Sequence, residues 1–212
     1  MNKTSLIKVL LVCGIIASLL YIGTDIFAAM QWEGYSSFSQ TASELAGINA
    51  PTRPLIVPLW VTYSLLVYAF GAGVFGSAGE KRALRITAVG LIGKEVLGLV
   101  VTLFFPVHLR GVEVSLTDTM HGMLTLAGNL FMLLALLSAA AAFGKRFGLY
   151  SIVTSLLLIV FGFLAGLDIP KLAPDLPTPW MGVWERINIF AYMLWTVVLA
   201  VVLLRAKKEP GR

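Results

Sequence analysis

Six long apolar runs constrain this chain more than any other feature. They cover roughly residues 7–30, 55–78, 83–106, 119–143, 149–167 and 181–204. A helix needs about 20 apolar residues to cross a hydrocarbon core of about 30 Å. Backbone at that depth must satisfy its own hydrogen bonds, so a helix or a closed barrel is required. The runs lack the alternation of a barrel strand, which leaves helices. Composition agrees. Of 212 residues, 58% are hydrophobic and 13% charged, with mean hydropathy +0.88; a soluble domain carries about 25% charged residues. A soluble enzyme, a disordered tail and a nucleic-acid-binding domain are excluded. The net charge of +5 sits in short clusters between the runs, not on one basic face. Cys13 is the single cysteine, so no internal disulfide or multi-cysteine metal site can form.

The runs predict an all-α polytopic membrane protein: one six-helix transmembrane domain over residues 1–212, with no room for a soluble one. Lys3 and Lys8 precede the first run as in a secretory signal. That run extends for about 24 residues, longer than a signal core, and Ala28-Ala29 makes no clean cleavage site. It is expected to be a retained helix. Three spans per half would permit an inverted repeat, but the halves share no visible motif.

Basic residues in short loops set orientation. Eleven fall at one end: Lys3, Lys8, Lys81, Arg82, Arg85, Lys145, Arg146, Arg205, Lys207, Lys208 and Arg212. Four fall at the other: Arg53, Arg110, Lys171 and Arg186. Both termini are therefore expected in the cytoplasm of a bacterial inner membrane. The outer segments, Gln31–Pro54, Val107–Asp118 and Asp168–Trp180, are the long ones and hold most of the prolines, whereas the cytoplasmic turns are minimal. Only Glu80 and Glu209 are clearly cytoplasmic acids. Long loops on one face are where binding and catalysis usually lie.

At helical spacings of three and four, polar residues fall into stripes. The first span carries Gly14, Ser18, Tyr21 and Asp25, and the second Trp60, Ser64 and Tyr68. The fourth carries Asp118, His121, Gly122, Thr125 and Asn129, and the sixth Glu185, Asn188, Tyr192 and Thr196. The stripes strengthen towards the outer end, which predicts a polar cavity open there. For Ser18, Ser64, Thr125 and Thr196 the default role is helix packing. Asp25, Asp118 and Glu185 lie near the interface, where charge is cheaper than at the bilayer centre.

Lys94 and Glu95 form the deepest charged couple, near the middle of the third span. Sequence neighbours point about 100° apart on a helix, so they are not expected to pair with each other. Lys94 shares a face with Gly90, Gly98 and Thr102. Glu95 needs a donor, with Asn129 or a tyrosine at comparable depth. Either a packing network or a proton- or ion-handling site fits.

After the first span, Ser37…Gln40 and Thr41…Glu44 both fit a capping box and predict a short surface helix. Glu44 either caps that helix or faces the cavity mouth with Ser43. Asp118 and His121 share one helical face, a spacing that suits an acid–base pair. A zinc site would need more ligands, from Glu44, Glu185 or Asp25, and no metal is expected. The candidates are thus Asp118, His121 and Glu44 for catalysis, Asp25, Ser43, Glu185, Arg186, Asn188 and Asn129 for binding, and the Lys94–Glu95 couple. Asp25, Glu44, Asp118, His121, Glu185 and Arg186 are expected to converge on one cavity, with Arg186 holding a carboxylate in a bidentate fork.

The chain resembles the bacterial six-span membrane family catalogued as domain of unknown function 998. The resemblance rests on Gly34-Tyr35-Ser36…Ser39…Ser43-Glu44-Leu45, Phe105-Pro106, His121-Gly122 and Trp184-Glu185-Arg186. It implies the six-span fold and no chemistry. Membrane hydrolases of the alkaline-ceramidase type gather three histidines around zinc, whereas this chain has only His108 and His121.

Three functions fit. The favoured one is binding of a lipid or small amphiphile in an outer-facing cavity, with hydrolase-like chemistry left open. The others are a small proton-coupled transporter using Lys94 and Glu95, and a structural or accessory membrane subunit. Membrane lipids are the expected partners. No nucleic acid and no cofactor is called for, and the oligomeric state is not written in the sequence. The topology is directly testable: in a chain lacking Cys13, a cysteine at Pro174 should react with an impermeant thiol reagent on intact cells, and one at Lys145 should be protected. The opposite pattern inverts the orientation.

Overall fold

The computed structural model describes residues 2–206. The helices are α1 (Lys3–Gln31), α2 (Ala42–Leu45), α3 (Arg53–Ser77), α4 (Arg82–Phe104), α5 (Leu116–Ala142), α6 (Lys145–Gly166) and α7 (Met181–Ala206), with a 3₁₀ turn over Ile169–Lys171. Among the described residues there is no β-strand. Six helices, all but the four-residue α2, are long and apolar enough to cross a membrane. The shortest has 22 residues, about 33 Å at 1.5 Å per residue. Lys207, Lys208, Glu209 and Arg212, counted in the orientation argument, lie outside the described residues.

The helix boundaries follow local chemistry. Asn2 caps α1 by accepting the Ser5 N–H at 2.8 Å. Pro54 occupies the first turn of α3, where its missing N–H costs nothing. Ser115 and Asp118 form a capping box that starts α5. Gly79 takes φ +52° in the tight turn between α3 and α4, a left-handed conformation that suits glycine.

Chain neighbours pack side by side in the order α1, α3, α4, α5, α6, α7, and α7 returns to α1, closing a ring. Several seams carry a cross-helix hydrogen bond. Ser18 on α1 donates to the Met193 carbonyl on α7 at 3.2 Å, Thr87 on α4 meets Ser138 on α5 at 3.0 Å, and Trp195 on α7 donates to Ser151 on α6 at 2.9 Å. This is the packing role expected of small hydroxyl residues.

The ring is filled unevenly. Ile7, Leu11, Phe70, Val74, Leu84, Leu91, Leu136, Trp195 and Leu199 plug the half next to the short turns. The half next to the long loops has only a small cluster, Ala28, Leu45, Ala46 and Ile56, which seats α2 between α1 and α3. The polar residues therefore gather at one end because the bulky apolar ones occupy the other.

The seam of α4 on α5 is the most extensive, and it depends on Gly90. A Cβ there would lie 2.8 Å from both the Phe131 carbonyl oxygen and the Ala135 nitrogen, that is, from backbone that cannot yield. At Gly98 the nearest atom to such a Cβ is Glu95 Oε1 at 3.7 Å, an ordinary contact. Gly90→Leu should therefore wedge the seam apart and cost about 1–3 kcal/mol or more, read as a lowered unfolding midpoint in detergent. Gly98→Ala should leave the midpoint within error, and an equal drop in both variants would refute the close-approach argument.

Candidate functional site

The long-loop end is built on two arginines. Arg186, five residues after α7 begins, is buried at 9% exposure and spends every N–H it has. Its Nε and Nη2 hold Asp25 of α1 at 3.0 Å each, the bidentate fork expected from sequence. Nη2 also donates to the Tyr35 hydroxyl at 2.6 Å. Nη1 donates to the carbonyls of Ser37 and Gln40 at 2.9 and 2.8 Å, and more weakly to that of Gly182. Tyr35 in turn donates its hydroxyl hydrogen bond to the Thr41 carbonyl at 2.7 Å. Burial pushes the ionisation of this phenol well above its ordinary range, against the opposing pull of Arg186, so it stays a neutral donor. Gly182 makes the approach possible: a Cβ there would collide with the Ser37 and Gln40 carbonyl oxygens.

Arg110 does the same for the other loops. It holds Glu44 through Nε at 2.8 Å and Nη2 at 3.2 Å, Thr178 Oγ1 through Nη1 at 2.6 Å, and the Ser39 carbonyl at 2.5 Å. One guanidinium thus joins all three long loops. Glu44 also caps α2, accepting the Thr41 N–H at 2.7 Å. Glu185 reaches across from α7 to the first amide of α2, Ala42 N–H, at 2.5 Å, and accepts from Ser43 Oγ at 3.4 Å. A free amide at a helix start is a natural carboxylate partner. The second capping box does not form: the Gln40 side chain accepts the Ser36 N–H instead, because residues 37–40 make a turn and not a helix.

Beneath α2 lies a cavity of about 130 Å³. Its walls come from α1 (Tyr21), α3 (Trp60, Tyr63, Ser64), α4 (Lys94, Glu95, Gly98) and α5 (His121, Thr125), with Ser43, Ala46 and Val107 above. Lys94 Nζ meets Glu95 Oε2 at 3.1 Å. This corrects the expectation that sequence neighbours cannot pair. The four-carbon lysine stem curls back across the 100° offset, and the ammonium rests against the rings of Tyr63 and Tyr192 at 5.6 and 5.4 Å. A further donor to Glu95 is Ser64 at 2.6 Å, with the Tyr63 hydroxyl beside it and Asn129 not among its partners. Tyr21 stacks on Trp60 at 5.5 Å. The Trp60 indole N–H is buried without a partner.

The expected convergence divides. Of Asp25, Glu44, Asp118, His121, Glu185 and Arg186, only His121 lines this cavity, joined there by Ser43, Lys94 and Glu95. Asp118 belongs to a separate cluster: it accepts the His108 backbone N–H at 2.8 Å, faces His108 Nδ1 at 2.9 Å and accepts Ser115 Oγ at 2.7 Å. His121 turns its Nδ1 to the Phe105 carbonyl at 2.8 Å. A carbonyl only accepts, so Nδ1 carries the proton and Nε2 of the neutral ring is an open acceptor. Asn188 donates to the Leu158 carbonyl at 2.6 Å, a packing bond between α7 and α6. Asn129 does not line the cavity. A second, shallower hollow of about 310 Å³ lies between α1 and α7 against Asp25 and Arg186. The donors of Arg186 are spent, so its charged wall has little left to offer a ligand. Among the described residues no metal-holding group of His, Cys, Asp and Glu forms.

Sequence reasoning missed Arg110, Thr178 and His108 as members of the site. Arg110 did leave a signal, as one of few basic residues at an end otherwise rich in acids. Thr178 and His108 leave none, since their partners are 68 and 10 residues away on other segments.

A family model described as "Protein of unknown function (DUF998)" matches residues 15–202. No curated protein and no solved structure matches the chain.

The arginine clamp makes a sharp stability prediction. Removing one partner of a buried ion pair leaves the other uncompensated and costs about 3–5 kcal/mol. Arg186→Met and Asp25→Asn should each lower the unfolding midpoint strongly, and Arg186→Lys should rescue little, because an ammonium has three donors in place of five. If Arg186→Lys unfolds like the unmodified protein, the clamp is not what holds the loops.

Proposed function

We propose that this chain, which belongs to the DUF998 family, binds the polar end of a lipid or small amphiphile in the cavity beneath α2. The protein resides in the bacterial cytoplasmic membrane, with both termini in the cytoplasm and the long loops outside. The basic asymmetry between the two ends supports that orientation. The observation that carries the binding reading is a cavity of about 130 Å³ whose wall holds polar groups without partners in the structure, the Tyr21 and Thr125 hydroxyls and His121 Nε2. A hydrogen bond from an entering ligand to one of these groups is worth about 0.5–1.5 kcal/mol net. The volume is close to that of an engineered cavity that admits benzene, about 150 Å³, so it takes a head group and not a whole lipid.

Chemistry has less support than binding. His121 Nε2 is an available base and Ser43 borders the same cavity, which is a start towards acyl transfer. The carboxylate expected to orient His121, Asp118, is engaged by His108 instead.

Proton-coupled transport is favoured by one observation: the Lys94–Glu95 pair forms the cavity floor at mid-helix. Below it Phe70, Leu91 and Leu136 are fully buried, so transport would require that plug to open.

Two substitutions separate the readings. Gly98→Leu should fill the cavity and reduce co-purifying amphiphile, measured by native mass spectrometry, by about tenfold or more with the fold intact. Unchanged lipid content would end the binding reading. Glu95→Gln leaves the Lys94 ammonium uncompensated and should lower the unfolding midpoint under the binding reading, whereas abolished proton-linked flux in proteoliposomes, with unaltered thermal stability, would establish transport.

A further inference from the structure

Resting on the cavity reading above, we infer that the ligand's head group is uncharged, bears both an acceptor and a hydroxyl, and enters sideways from the bilayer, as the glycerol end of a monoacylglycerol would. The argument begins with what the cavity wall has left to give. Lys94 and Glu95 neutralise each other at 3.1 Å. Ser64 is spent on Glu95, and Thr102 on the Gly98 carbonyl at 2.9 Å. His121 Nδ1 is spent on Phe105, and Ser43 leans on Glu185. The Tyr21 and Thr125 hydroxyls make no hydrogen bond in the structure and can give or take one, and His121 Nε2 is an open acceptor.

No unpaired charge lines the cavity. An anionic head would compete with Glu95 for Lys94, and a cationic one would compete with Lys94 for both its carboxylate and its aromatic neighbours, Tyr63 and Tyr192. Burying either charge without a counter-charge is costly. An ester carbonyl on the Tyr21 hydroxyl and a hydroxyl on His121 use these open groups at no electrostatic cost.

The route of entry follows from exposure. Thr125 is the one residue of the cavity wall that is also exposed at the surface of the protein. It lies nine residues into α5, about 14 Å along its axis. The exposed side of α5 at this depth, one helix face over, carries Met123, Leu126 and Leu130, each more than 60% exposed and apolar. That belt faces hydrocarbon and not water. A head group held inside therefore leaves its acyl chain passing Thr125 into the bilayer, which also resolves how a small cavity serves a long molecule.

The test uses the full chain in detergent micelles, titrated with monoolein, oleate, oleylamine and free glycerol. Monoolein should bind about tenfold more tightly than oleate or oleylamine. Tyr21→Phe, which keeps the ring and removes the hydroxyl, should weaken monoolein by about fivefold, the loss of one neutral hydrogen bond. Thr125→Trp, a change on the exposed surface that leaves the core untouched, should slow monoolein uptake without lowering the unfolding midpoint. Oleate or oleylamine binding as tightly as monoolein overturns the uncharged head group, provided Gly98→Leu abolishes that binding, in which case the cavity reading itself stands. Glycerol binding as tightly as monoolein, or uptake indifferent to Thr125→Trp, overturns entry from the bilayer. Binding of none of the four overturns the cavity reading together with this inference.

Discussion

Everything at the long-loop end depends on a guanidinium that cannot be left unsatisfied. Arg186 is carried into a buried position by α7, and the desolvation of its charge must be repaid in full. Asp25 supplies the counter-charge from α1, and the loop after α1 supplies carbonyls and a phenol. The first and last spanning helices are thereby tied across the closure of the ring. The loop between Trp32 and Thr52 is folded down onto the bundle and does not extend into solvent. Once it lies there, Glu185 and Glu44 fix α2 from two sides, and Arg110 draws in the loops that follow α4 and α6.

The consequence is a roof over a space that the helices themselves leave open. At the opposite end the same ring is filled by large apolar side chains. In the loop half the inward positions are small, hydroxyl or aromatic, so the helices enclose volume without filling it. The Lys94–Glu95 pair marks the boundary between the two regimes. It survives there because each charge has a partner and the ammonium has two aromatic faces beside it. The structural work of the buried acids and the polar lining of the cavity are thus largely separate sets of residues. Asp25, Glu44 and Glu185 hold the roof, while Tyr21, Trp60 and His121 line the cavity below it.

How much of this was legible beforehand can be judged residue by residue. The six spans were readable because hydrocarbon imposes a length and a composition that no other environment does. The bidentate Arg186 fork and the Thr41…Glu44 capping box were readable because their geometry is local or their partners few. Ser37…Gln40 had the same spacing and failed, because Arg186 claims the carbonyls of that turn. The Lys94–Glu95 pairing was misjudged from backbone angles alone, since a flexible lysine stem is not bound by them. Asp118 and His121 share a helical face as expected, yet each turns to a different neighbour from the preceding loop, His108 and Phe105.

The sequence by itself determined the solvent, the secondary structure and the end at which polar residues gather, and it carried the family resemblance that the family model bears out. These are properties of single segments, decided by hydropathy, helical period and loop length. Only the tertiary structure decided which carboxylate meets which cation, and so which polar groups are consumed in holding the loops and which are left free. That division depends on distances between residues more than a hundred positions apart, such as Asp25 and Arg186. It is decided by the requirement that every buried donor find an acceptor. The pattern along a helix records which residues are polar, but not which of them the neighbouring segments will satisfy.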